Sequence, residues 1–80
     1  MELNEKNLFN LFAVPFKNEG YELIDVKFGK SGSNKIIKLF IFNHRGIEIE
    51  DCISVNKLAL EIIENKGLDI NNYTLEISSP

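Results

Sequence analysis

The residues in this chain that could do chemistry are few, and most are lysines. Lys27, Lys30, Lys35 and Lys38 crowd around the turn-rich stretch "GKSGSN", Gly29 to Asn34. Ammonium groups grouped in this way can neutralise phosphates, adding affinity and salt dependence without reading a base sequence. The same lysines also suit a solubilised hairpin tip whose edge must be kept from pairing with other chains. On residue types alone the solubilising reading is at least as strong as the phosphate one. Arg45, in "HRG", and Lys57 add two further cations that could contact RNA or protein.

The other reactive side chains lack partners. His44 is the only histidine, and without Cys or acidic ligands at metal spacing it reads as a turn residue. Cys52 is the only cysteine, which excludes an internal disulfide and a Cys-based cluster and fits a reducing compartment. It lies on a helical apolar stripe with no base beside it, so it reads as a small core residue. Glu48, Glu50 and Asp51 are spelled like paired carboxylates, but an approach to a helix N-terminus explains them better. No P-loop, GxSxG or HExxH pattern occurs. The expectation is a binding protein: no enzyme, no cofactor, no metal and no small-molecule substrate.

Eighty residues, 44% hydrophobic and 26% charged, suit one globular domain with one modest core. A net charge of −3 argues against nucleic-acid binding by bulk charge, so any RNA contact needs the local lysine patch. Met1 leads into Glu2, Asn4 and Glu5 with no apolar h-region, and no apolar run approaches the ~20 residues of a membrane helix. A cytoplasmic protein without membrane contact is expected.

These candidates must be positioned by the elements around them. Asn4 can cap a first helix, with Leu8, Phe9, Leu11, Phe12 and Phe16 at helical spacing. Pro15 should kink that helix or start a new turn, and Gly20 should stop it. From Tyr21 the period falls to two, placing Ile24, Val26 and Phe28 on one face and Leu23, Asp25 and Lys27 on the other. After the glycine-rich turn, "KIIKLFIFN" is a second strand, with Ile37, Leu39 and Ile41 on one face and Ile36, Lys38, Phe40 and Phe42 on the other. Val55, Leu58, Ala59 and Ile62 mark a second helix closed by Lys66 and Gly67. Tyr73 to Ser78 is a third strand with Leu75 and Ile77 facing inward.

The predicted fold is α+β, a two-layer α/β sandwich of order α-β-β-α-β. The second helix should carry the chain so that strands two and three run the same way. Placing strand three beside strand one gives a three-stranded antiparallel sheet of order 2-1-3 with both helices on one face. The other face then stays open and carries Leu23, Ile36, Phe40 and Phe42, with Lys27 and Lys38 between them. A contiguous apolar patch of this kind usually marks an interface. A register slip of one residue would swap the faces of a strand, but strand two is apolar on both.

Taken together, "GYELIDVKF", "KLFIFN", "GIEIEDC" and the closing "YTLEISSP" resemble the N-terminal domain of the bacterial ribosome maturation factor RimP family. The resemblance runs from about Pro15 to Pro80. It implies a non-catalytic cytoplasmic assembly factor that binds the free 30S small ribosomal subunit and assists its maturation. It also implies a fold related to bacterial-type KH topology. In the family, "SSP" runs on into a C-terminal SH3-like barrel, which these 80 residues do not contain. The single domain expected here is 1–80, with Leu23, Ile36, Phe40, Phe42, Ser78, Ser79 and Pro80 facing that barrel or another partner. Asn56 and Lys57 stand where the family usually has Ser-Arg, and a lysine lacks the bidentate fork of an arginine. Phe42 stands where an aspartate is common.

Two rivals belong to other classes. A stand-alone KH-like RNA-binding domain needs a Gly-x-x-Gly loop between helices, and the only match, Gly29 to Gly32, falls in a hairpin. A protein-interaction adaptor would use the open sheet face to dimerise.

Overall fold

The computed structural model describes residues 1–80, in the order α1 (Glu5–Asn18), β1 (Glu22–Ser31), β2 (Asn34–Phe42), α2 (Ile49–Lys66) and β3 (Tyr73–Ser78). The Asn4 side chain accepts the Asn7 amide at 2.8 Å, satisfying one of the free N–H groups at the start of α1. The helix runs through Pro15 without interruption to Asn18. Proline there removes only the hydrogen bond to Leu11, and the chain is within one turn of its end. Gly20, at φ 90°, then lets the Tyr21 amide reach back to the Phe16 carbonyl at 2.9 Å.

β1 and β2 form an antiparallel hairpin in which Ser31 pairs with Asn34 across the two residues Gly32 and Ser33. Gly32 has a φ of 64° and Ser33 is not left-handed, the pattern of a turn with glycine first, whose twist matches the strands. The strands therefore extend to a much tighter turn than the glycine-rich run suggests.

The sheet order is β1-β2-β3, with β3 parallel to β2, so the sheet is mixed. This corrects the expected antiparallel sheet of order 2-1-3, although the parallel direction of the second and third strands is as expected. The physical reason lies in β2, which is apolar on both faces and therefore suits the centre. The β2-α2-β3 crossover then returns the chain to the neighbouring position. β1 carries charges and a bulge, which are features of an edge.

That bulge brings a second correction. Leu23 pairs with Ile41 and Asp25 with Phe40, leaving Ile24 as an extra residue between them. The alternation resets there, so Leu23 turns into the core at 6% exposure while Ile24 faces out at 43%. Leu23 therefore does not belong to the open face.

One core joins the layers. Leu8, Phe12 and Phe16 of α1 and Val55, Ala59 and Ile63 of α2 pack with Leu23, Val26, Ile37, Leu39 and Ile41 of the sheet. Leu75 and Ile77 pack against this cluster from β3, as the strand periodicity requires. The two α1 phenyl rings stack with centroids 5.2 Å apart, one helical turn from each other.

Candidate nucleic-acid and partner interface

The pairing register decides where the lysines go. Lys27 sits opposite Lys38 and Lys30 opposite Lys35, so the hairpin carries two cross-strand pairs of like charge. Like charges directly opposite each other destabilise a sheet. The inner pair is compensated: Lys27 Nζ lies 3.6 Å from Asp25 and Lys38 Nζ lies 3.9 Å from Glu76. Lys38 also stands over the Phe40 ring at 5.9 Å.

The outer pair, at the hairpin tip, has no carboxylate within salt-bridge distance. Lys35 Nζ instead lies 5.6 Å above the Tyr73 ring, and Lys30 is exposed. Two lysines without a carboxylate partner thus occupy opposite register positions at one end of the sheet. Such a pair can take an anion between or across the two groups. Gly29 lies within β1 and Gly32 in the turn, so "GKSG" is no loop between helices.

The open face of the sheet carries Ile36, Phe40 and Phe42 on β2. Ile36 and Phe40 are half-buried, and Phe42 is exposed with its ring edge-on to His44 at 5.4 Å. Ser78 is half-buried, and Ser79 and Pro80 are exposed at the end of β3. Ser78 lies opposite Phe40, which places that end of the chain beside the apolar patch. Lys57 is exposed on α2 and makes no ion pair.

Arg45 has a different setting. Its two terminal nitrogens donate to the Asp51 carboxylate at 2.5 and 3.2 Å, although most of the Arg45 side chain remains exposed. The Tyr21 hydroxyl donates to the same carboxylate at 2.5 Å, and the Glu48 backbone N–H donates at 2.8 Å. Asp51 is the one buried charged residue of the chain, and all of its charge is met. The Arg45 guanidinium first, then the Tyr21 hydroxyl and the Glu48 amide, hold its carboxyl well below the usual carboxylate range. The hydrogen bond to Asp51 raises the Tyr21 phenol, with burial acting in the same direction, and also raises Arg45.

This hub ties the start of β1, the loop after β2 and the first turn of α2 together. Reading the residues alone places Asp51 only as a charge at a helix N-terminus and Arg45 only as a surface cation. One signal was present: Asp51 stands three positions after the N-cap Glu48, where a side chain folds back onto the capping amide. That Tyr21, thirty positions away, completes the hub had no local signal.

No three His, Cys, Asp or Glu side chains converge on a metal-sized site. The largest cavity, about 480 Å³, is a cleft between the end of α1 and the base of the hairpin, lined among others by Lys17, Tyr21, Phe42 and His44. Its residues offer no nucleophile with a base beside it.

The profile of the RimP N-terminal domain matches residues 11–80. The chain belongs to the RimP N-terminal domain family. Membership makes it a ribosome maturation factor domain, a type that interacts with a ribosomal subunit. The match begins in the middle of α1 and takes in every residue of the hairpin, the hub and the open face. No helix of this RimP N-terminal domain is long and apolar enough to cross a membrane.

Proposed function

We propose that this domain binds the free 30S small ribosomal subunit in the cytoplasm and assists its maturation by binding, without catalysis. The observation that carries this reading is the Lys30–Lys35 pair at the hairpin tip, two like charges held opposite each other without a neighbouring carboxylate. Such an arrangement works against the isolated fold and is relieved when an anion arrives. Ribosomal RNA supplies that anion as phosphate. Lys27 and Lys38, three positions from the pair and on the opposite face of the sheet, Lys57 on α2 and the exposed part of Arg45 at the far end of the sheet are assigned as further, separate contacts.

Within this reading Ile36, Phe40 and Phe42, with Ser78, Ser79 and Pro80 beside them, form the face that meets a C-terminal SH3-like domain. Ile36 and Phe40 lie on the face opposite the inward Ile37, Leu39 and Ile41, and Phe42 sits at its rim, where it also lines the cleft at the end of α1. Docking a barrel there leaves the hairpin tip free for the subunit.

The test is co-sedimentation with purified 30S subunits at physiological salt. The unmodified protein is expected to pellet with them. A variant carrying Lys27→Glu, Lys30→Glu, Lys35→Glu and Lys38→Glu is expected to remain in the supernatant. Equal pelleting of the two would overturn the lysine assignment, and no pelleting of either would overturn the functional reading.

A further inference from the structure

The sheet has two edges, and the fold treats them differently. On β1, the amides of Val26 and Phe28 are taken by the carboxylates of Asp25 and Glu5, each at 2.8 Å. Those caps deny the edge to another strand. On β3 the Tyr73 amide bonds the Ile70 carbonyl at 2.9 Å, and beyond it no side chain reaches an amide of the strand. The outer edge of β3 is therefore an uncapped row of donors and acceptors, the template on which peptides add as strands.

Beside that edge, on the helix side, lies an open groove of about 250 Å³ lined by Ile49, Cys52, Ile53, Asn56, Leu75 and Ile77. Ile49 is 80% exposed and Ile53 57%, so α2 presents a second apolar stripe that the core does not use. The Asn56 Oδ1 in the same groove is buried without a hydrogen-bond partner.

Charge selects the occupant. Residues 48–80 carry seven carboxylates and two lysines, whereas the preceding residues carry seven cations and five carboxylates. Glu48 and Glu50 are exposed on either side of Ile49, and Glu76, on the opposite face of β3, has Lys38 at 3.9 Å on its inner side and stays 45% exposed, open to a second cation from the outer edge. Side chains of an added strand alternate between the two faces. One set meets the apolar groove and the other meets the side of Glu76. Two copies of this chain pairing through β3 would bring two acidic halves together, which disfavours self-association.

We propose that the β3 edge and the α2 groove take up an extended, positively charged polypeptide segment as a fourth strand. Its apolar side chains enter the groove between Ile53 and Ile77, and its basic ones face Glu76. This site is separate from the hairpin tip and does not depend on the lysines there.

The probe is an alternating valine–lysine octapeptide titrated into the isotopically labelled full chain, followed by amide chemical shifts and hydrogen exchange. The expected result is shift and added protection at Thr74 to Ser78, with shifts along Ile49 to Asn56. A valine–glutamate octapeptide is expected to leave these amides unmoved, as is a valine–lysine peptide N-methylated at alternate residues. Ile53→Lys, a surface change, is expected to weaken binding by about tenfold or more. Lys30→Glu is expected to leave it unchanged. Absent shifts at β3, equal binding of the anionic or methylated peptide, or unweakened binding by Ile53→Lys would each overturn the proposal. So would β3 protection that rises with protein concentration alone, because that outcome assigns the edge to a second copy.

Discussion

Replacing Lys30 by glutamate is expected to move stability and binding in opposite directions. In the folded chain Lys30 faces Lys35, and neither has a carboxylate within reach. The substitution turns a repulsive cross-strand pair into an attractive one. Each such pair changes stability by roughly 0.2–1 kcal/mol, and exposure and salt reduce the effect, so the net gain should be about 0.5–1 kcal/mol. In a domain of this size that gain raises Tm by roughly 2–8 °C. Lys30 is the better choice for this test because Lys35 also packs over Tyr73 and would lose that contact.

Binding should respond the other way. A lost phosphate contact lowers the slope of log K against log salt by about 0.7–0.9, which at roughly 0.1 M corresponds to a five- to eightfold weakening. Reversing the charge adds repulsion to the loss. The assays are thermal melts by circular dichroism and a salt series of binding to 30S subunits. A lowered Tm would refute the cross-strand repulsion argument. An unchanged salt slope would refute the phosphate contact.

Three further outcomes follow from the hub and the core. The Asp51 carboxyl is held below its ordinary value when folded, so the unfolded chain binds more protons at acid pH. Its contribution is therefore fully present above the unfolded value of about 3.9 and falls as pH drops towards the folded one. Urea melts should accordingly show the gap between unmodified protein and Asp51→Asn closing as pH falls below about 4. Tyr21→Phe removes one donor from that carboxylate while the Arg45 and Glu48 donors remain, and should cost about 1–2 kcal/mol in a urea melt. Leu39→Ala, at a fully buried position in the central strand, should cost about 2–5 kcal/mol, measured by the same melt.

Much of the local structure was legible because it depends on near neighbours. The α1 cap at Asn4, the hairpin, the α2 stripe and the inward side chains of β3 all follow from spacing and from residue types that prefer those positions. The lysines were legible as a group, but their division was not. Spacing puts Lys27 and Lys38 near Lys30 and Lys35. Asp25 and Lys27 already share a face by spacing, but only the pairing register brings Glu76 to Lys38 and leaves Lys30 facing Lys35 without a carboxylate. Leu23 was misplaced for a related reason: one extra residue in β1 flips the alternation, and no residue near Ile24 announces the insertion.

The sequence by itself determined the order of elements, the parallel direction of the last two strands and the family, because periodicity and local motifs carry that information. Tertiary structure alone decided that β2 is central, since strand order depends on which faces bury most area once all layers pack. It also joined Tyr21, Arg45 and Asp51, whose separation along the chain hides a contact made across three elements. The unequal edges of the sheet belong to this second group. Glu5 seals one edge from a helix twenty-three positions away, and nothing in the residues of β3 says that its own edge stays open.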